Sequence, residues 1–458
     1  MIEITNPYTE KKFANIQETP REDIHNLFLE SQKAQGKWAQ TPLSERKNIL
    51  YNFQNLLSTH EKECAETLTS EMGKPYIQAL NEIRGTQDRV SWFLEHTPSS
   101  LFSSQAIKTP NMSESIDWEP LGVIANISAW NYPYFVGSNV FIPALLCGNT
   151  VLYKPSEVTP LTGKKIEELF QKAGLPPHVF KTLQGGKEVG ESLLQEDIQG
   201  VFFTGSAKTG KKIAEKCSAR MIKTGFELGG KDAAYVREDA DLLFSAQEIR
   251  SGVFYNAGQS CCSVERIYLH HSIETKFLDL FLEELTQLKV GDPFDPSTTL
   301  GPLAQKEHIS FLDHQIKDAL DKGAHILYQK SLPTHLKGWF FPPTVLGKVN
   351  HTMKIMQEES FGPVVGIESV QNDNEAIKSM NNTSYGLTSS VFSKDYEKTQ
   401  HLLKALNTGT VYWNCCDRIS PYLPWSGRKN SGIGSTLSQV GIYSFLQPKS
   451  FHLKSLSH

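Results

Sequence analysis

Between Leu121 and Gly230 the chain alternates short apolar runs with longer amphipathic ones, and few architectures accept that order. LGVIANIS, NTVLYKPS, HVFKTLQG, IQGVFFTGS and MIKTGFELGG each suit a buried strand. WNYPYFVGSNVFIPALLC, LTGKKIEELFQKAG and AKTGKKIAEKCSA suit helices. Strands apolar on both faces and separated by helices predict a parallel sheet covered on both sides. Such a sheet binds ligands beyond the C-terminal ends of its strands. The alternation resumes after Gly229, from KDAAYV through RIYLHHS to TSSVFSK and GTVYWN, and predicts a second α/β unit. A chain of 458 residues is in any case too long for one hydrophobic core.

The flanking segments read differently. The first hundred residues carry apolar positions at helical spacing, as in EDIHNLFLESQKAQGKWA. PSSLFSSQAIKTPNMSESIDWEP has no such period and predicts an excursion of extended strands or a hairpin. The polar C-terminal tail contains one short apolar piece, GIYSFLQ, able to return to that excursion or to pair with another subunit.

Composition excludes several classes of function. An apolar content of 39% with 21% charged residues suits a soluble folded protein. The net charge of -4, with no basic block, leaves no footprint for nucleic acid. MIEITNPYTEKKF lacks a signal-peptide core. NVFIPALLCG, the longest apolar run, is too short to span a bilayer, so no membrane partner is expected. Seven scattered cysteines read as thiols of a reducing compartment, and the expected location is the cytoplasm. With no C-x-x-C pair, no metal site is expected.

Several motifs are ambiguous one at a time. FTGSAKTGKK has the glycine and lysine spacing of a Walker A loop at a strand-to-helix junction. Lys212 stands where that loop needs Ser or Thr for Mg²⁺, which argues against an NTPase. What remains is a helix N-terminus able to meet a pyrophosphate, or an ordinary turn capped by Ser206. GIGSTL has no third glycine and reads as structural. Glu227 in FELGGK is a surface charge or a base in a cleft. Asn131 in WNYP is a helix cap or an oxyanion donor, and Glu359 and Phe361 in EESFGPV belong to a turn. Cys261 and Cys262 in NAGQSCCS are adjacent, so a disulfide between them would be strained. Packing, metal ligation and nucleophilic attack all stay open for them.

The ordered set is more specific than its members. GVIANISAWNYP, KPSEVTP, FTGSAKTG, FELGGK, NAGQSCCS, EESFGPVV, SYGLTSSVFS and PWSGRKNSGIG together resemble the NAD(P)-dependent aldehyde dehydrogenase superfamily, from about Asn6 to Gly434. The resemblance implies an aldehyde-dehydrogenase-like α/β fold with three parts. They are a Rossmann-type dinucleotide-binding domain (1–97 and 121–228), a catalytic α/β domain (229–432) and a small β oligomerisation extension (98–120 and 433–458). It implies a homodimer or homotetramer and a small-molecule aldehyde as substrate.

The site roles follow from the same resemblance. Cys261 is the nucleophile that forms a thiohemiacetal and, after hydride transfer to nicotinamide, a thioester. Asn131 and the Cys261 backbone N–H hold the oxyanion, and Glu227 is the base for hydrolysis. Burial in the apolar MIKTGFEL run would raise the Glu227 pKa. For the cofactor, Lys154 and Glu157 face the adenosine ribose, and Gly185 and Gly186 line the adenine side. Ser206 and the Gly205–Gly210 turn meet the pyrophosphate, Trp130 closes over the cofactor, Ser128 and Leu228 also contact it, and Glu359 and Phe361 hold the nicotinamide half. A carboxylate at Glu157 would repel a 2′-phosphate, so NAD⁺ is expected over NADP⁺.

Tyr132, Val136 and Asn139 share one helix face and would line the substrate tunnel with Cys262. Some relatives that oxidise dicarboxylic semialdehydes carry arginine where Asn139 stands, so an uncharged aldehyde is expected. Arg418 on the opposite loop could still supply a cation. Ala129 replaces the family's usual proline before Trp-Asn, which loosens the turn without removing a donor. The alternatives are a CoA-acylating semialdehyde dehydrogenase, against which Glu227 argues, and an inactive nucleotide-binding homologue.

Overall fold

The computed structural model describes residues 1–334 and 336–455. Two mostly parallel sheets organise it. The first has six strands in the order Gly432–Ile433, Lys223–Glu227, Gly200–Thr204, Val123–Ile127, Thr150–Lys154 and Phe180–Thr182. Five run parallel; only Gly432–Ile433 is antiparallel, against Lys223–Glu227. Val123–Ile127 and Thr150–Lys154 are buried along their whole length, which is why they read as unbroken apolar runs. From Val123–Ile127 the chain winds outward in one direction through the next two strands, then returns to the other side with Gly200–Thr204. That reversal is a topological switch point, and a crevice opens there beyond the strand ends.

The second sheet has seven strands in the order His325–Gln329, Thr344–Gly347, Val364–Val370, Val264–His270, Asp232–Val236, Thr388–Phe392 and Thr410–Trp413. Only His325–Gln329 is antiparallel to its neighbour. Its core includes Tyr235, Tyr268, Phe277 and Phe281. The third sheet is antiparallel: Leu446–Lys454, Met112–Pro120 and Ser103–Thr109. The polar excursion is therefore a hairpin, and the C-terminal tail does come back to it. The returning strand begins at Leu446, after GIYSF has formed short helical turns.

Four helices, Arg21–Gln40, Leu43–Thr59, Glu61–Met72 and Tyr76–His96, build the first hundred residues and pack on the six-stranded sheet. They also cap other helices. Pro133–Leu146 and Pro160–Lys172 both begin with proline and have no side-chain cap of their own. Glu82 accepts from the Tyr134 N–H at 2.9 Å, and Glu71 accepts from the N–H groups of Leu161 (2.6 Å) and Thr162 (2.9 Å). A carboxyl group on a helix N-terminus satisfies orphan donors, worth about 1 kcal/mol. Glu82 thus fixes the helix that follows Asn131.

Candidate active site

Three cavities run together along the C-terminal ends of the six-stranded sheet. The widest, about 810 Å³, lies at the switch point and is lined by Ser128, Trp130, Lys154, Glu157, Gly205 and Ser206. The next, about 610 Å³, shares Trp130, Gly205 and Ser206 with it and adds Leu228, Glu359 and Phe361. The innermost, about 290 Å³, shares Asn131, Val136, Glu227 and Cys261 with the second. Cys261, Asn131 and Glu227 therefore stand where a cavity on the sheet's crevice meets a smaller one leading away from it.

Local backbone explains how such distant residues meet. Lys223–Glu227 ends in Gly229 and Gly230. A Cβ on Gly230 would lie 2.3 Å from the Cys261 carbonyl, and one on Gly229 2.3 Å from a Glu359 carboxylate oxygen. Only glycine admits both approaches. The Gly230 N–H donates to Glu359 at 3.0 Å. Ahead of Cys261, Asn256, Ala257 and Gly258 are three successive left-handed residues. They turn the chain so that the Gln259 carbonyl faces Asn131 and accepts from its side-chain amide at 3.1 Å. An amide NH₂ has two hydrogens, so this bond orients the second without consuming it.

The loop carrying Asn131 is held from below by an ion pair. Lys74, which has no exposed side-chain surface, pairs with Glu82 and donates to the Asn131 carbonyl at 2.7 Å. Its ammonium sits 3.6 Å from the centre of the Tyr132 ring. A second buried pair, Lys231 with Glu265, steadies the Glu359 turn. Glu265 accepts from the N–H of Ser360 and of Phe361, at 2.8 Å each, and the Phe361 ring meets Trp130 edge to face at 5.5 Å.

Burial pushes the Glu227 carboxyl up to about 8, opposed by a hydrogen bond from Thr436 at 3.0 Å to one oxygen. The other oxygen is buried without a partner. Glu359 is likewise raised to about 8 by burial and by the nearby Glu265 charge. Cys261 is half-buried and lines both inner cavities, whereas Cys262 is buried. The Cys262 thiol donates to Asp417 at 2.9 Å. Its neighbour Cys261, burial and the Asp417 charge hold it well above the ordinary thiol range. Of the two sulfurs, Cys261 is the more exposed and the one that lines both inner cavities.

The crevice fits a dinucleotide. The helix Ala207–Ser218 opens toward it with Ser206 as its cap, and Lys154 and Glu157 lie 3.6 Å apart on its wall. Gly210 serves packing: a Cβ there would meet Leu228 at 2.5 Å. Gly185 and Gly186 precede the helix Lys187–Leu193 on the same side, with Gly185 at positive φ and Gly186 beside Glu157.

Tyr132, Val136, Asn139 and Cys262 all line the innermost cavity. Arg418 does not: its side chain is 68% exposed and lies 3.6 Å from Glu248, so the cation that this residue could have supplied points away. The expectation of an uncharged wall at Asn139 is also corrected. Arg89, from the helix Tyr76–His96, reaches the cavity and donates to the Asn139 side-chain oxygen at 2.9 Å. Thr436, Asp417 and His308, which lines the second cavity, are further residues that the sequence did not single out. Thr436 belongs to GIGSTL, read above as structural only.

Among the described residues no cluster of His, Cys, Asp and Glu could hold a metal ion, and no helix is long and apolar enough to cross a membrane. The chain is 32% identical over 456 residues to betaine aldehyde dehydrogenase of Bacillus subtilis, covering 97% of this chain and 92% of that protein. It is 33% identical to the NADP⁺-dependent succinate-semialdehyde dehydrogenase of Deinococcus radiodurans, covering 97% and 93%. The fold superposes on a betaine aldehyde dehydrogenase point mutant from Staphylococcus aureus in complex with NAD⁺, with a TM-score of 0.95, 30% identity, and 100% and 94% of the two chains covered. The aldehyde dehydrogenase family model matches residues 1–451, and the chain belongs to that family.

Proposed function

We propose that the protein oxidises an aldehyde to the carboxylic acid with NAD⁺, through a covalent intermediate on Cys261. The observation that carries this reading is that Cys261, Asn131 and Glu227 all line both inner cavities, at the junction between crevice and tunnel. The Cys261 thiolate adds to the carbonyl carbon and gives a thiohemiacetal. The second hydrogen of the Asn131 amide, aimed by Gln259, and the Cys261 backbone N–H hold the oxyanion. Bound NAD⁺ supplies the hydride acceptor. Glu227, once ionised, takes a proton from water, which attacks the thioester and releases the acid and the free thiolate. Its partnerless oxygen is the one free to do so. Water as acceptor, in place of CoA, rests on that residue.

NAD⁺ over NADP⁺ rests on Glu157, a carboxylate on the crevice wall. The roles assigned to 1–97 and 121–228 (cofactor), 229–432 (nucleophile) and 98–120 with 433–458 (assembly) rest on this reading. Both outer strands of the three-stranded sheet have an edge that no strand among the described residues pairs with, which supports assembly into a homodimer or homotetramer. Seven free thiols support a reducing, cytoplasmic setting.

The test is NADH formation across an aldehyde panel, with the product identified. Free acid is expected. Acyl-CoA formed at its expense would reassign the acceptor, and no turnover with any aldehyde would favour an inactive homologue.

A further inference from the structure

The innermost cavity is lined by four ionisable side chains of the Asp, Glu and Arg type: Asp88, Arg89, Glu227 and Asp417. Arg89 is the one cation there; Arg46 is also buried without an ion pair, but it does not line this cavity. Arg89 is 5% exposed, yet no carboxylate among the described residues lies within salt-bridge distance of it. Its only side-chain hydrogen bond among the described residues is to the neutral Asn139 amide at 2.9 Å, and the guanidinium stacks 3.8 Å from the Phe135 ring centre. Lys74 and Lys231, equally buried, each hold a carboxylate. Arg266, also buried, is saturated by the carbonyls of Lys231, Ser379 and Met380 and by the Tyr268 hydroxyl.

Glu82, on the same helix, and Cys262 partly offset the desolvation of Arg89, but Glu82 is already held by Lys74, and a desolvated charge with no counter-charge in contact costs several kcal/mol. Burial lowers Arg89 to about 10, so it stays positive at neutral pH. Asn139 and Phe135 hold the planar fork still, and a fixed guanidinium fork matches a carboxylate with two parallel hydrogen bonds. Asp417 does not answer this charge. It lies on the opposite loop, where it accepts from Cys262 beside the nucleophile. Asp88 is the exposed sequence neighbour of Arg89.

We propose that Arg89, seated by Asn139 and Phe135, receives the carboxylate of the substrate, so that this chain acts on a short aldehyde bearing a terminal carboxylate. The proposal rests on the reading of the chain as an aldehyde-oxidising enzyme and names the class of its substrate. Arg89 and Cys261 line one cavity of about 290 Å³, which suits a short aldehyde.

The experiment compares kcat/KM for 4-oxobutanoate, its neutral methyl ester and cationic 4-aminobutanal, using the intact enzyme, Arg89→Met and Arg89→Lys. The intact enzyme should favour the carboxylate over the ester by at least about tenfold, an effect typical of a charge-assisted pair. Arg89→Met should collapse that ratio to near one, chiefly through KM, and Arg89→Lys should restore part of it. A ratio unmoved by Arg89→Met, or a preference for 4-aminobutanal, overturns the proposal while leaving aldehyde oxidation intact. A second measurement needs no turnover: succinate should slow alkylation of Cys261 by iodoacetamide in the intact protein but not in folded Arg89→Met. If no aldehyde is oxidised, the enzymatic reading fails, and succinate protection alone then decides whether Arg89 is an anion site. Equal protection of both proteins, or of neither, overturns it.

Discussion

The crevice at the switch point and the Cys261 corner adjoin, yet they are built in opposite ways. The crevice draws its walls from one stretch of chain, Ile127 to Lys216, in which each strand hands over to a helix across a short turn. The corner gathers Lys74 and Glu82, Asn131, Glu227, Gln259 and Thr436 from across the molecule. The crevice is broad and open to binding energy spread over many contacts. The corner is tight, and its loops are fixed by buried ion pairs and carbonyls that leave particular donors free. A change in the corner should therefore reduce turnover steeply, and a change in the crevice should alter affinity modestly.

The steepest loss is expected at the sulfur. Cys261→Ala should lower kcat at least about 10⁴-fold, because no other group replaces a nucleophile. Cys262→Ala should stay within about tenfold, and initial rates of NADH formation compare the two. Equal losses would mean that the buried thiol matters for more than packing.

Glu227→Gln should slow steady turnover by about 10²–10⁴-fold while leaving a burst of NADH, since acylation precedes the step it serves. Its raised pKa gives the sign of the pH dependence. The carboxyl is protonated below about 8 and acts as a base only when ionised. Acid release should therefore rise with pH and level off above about 8, and the rising limb should vanish in the Gln variant. Asn131→Ala should cost about 10²–10³-fold in kcat with little change in KM, the signature of a donor used in the transition state.

On the crevice side, Glu157→Gln should improve kcat/KM for NADP⁺ relative to NAD⁺ by about two- to fivefold, the size of one charge contact at an exposed site. A larger effect on kcat than on cofactor KM would blur the contrast between the two regions.

The same contrast explains what could be read before the structure. Strands such as Val123–Ile127 and Thr150–Lys154 are buried on both faces, so the pattern of apolar residues reports them directly. Ser206 and Glu157 sit at predictable places after strands. Arg89 was invisible for a physical reason: on an amphipathic helix a lone arginine reads as solvated surface. Only the packing of Tyr76–His96 against Pro133–Leu146 turns it inward. Thr436 was hidden because Gly432–Ile433 joins the first sheet from two hundred residues away in the chain, beside Glu227. Arg418 was misplaced for the converse reason, since its loop turns the neighbouring Asp417 into the cavity and leaves Arg418 outside.

The central claim is that the thiol of residue 261 bears the acyl group. Glu227→Gln protein mixed with NAD⁺ and an aldehyde substrate, quenched in acid and sequenced by fragmentation mass spectrometry, tests it most directly. The account predicts one added acyl group, carried by Cys261. An acyl group on Cys262, or none after NADH has formed, would contradict it.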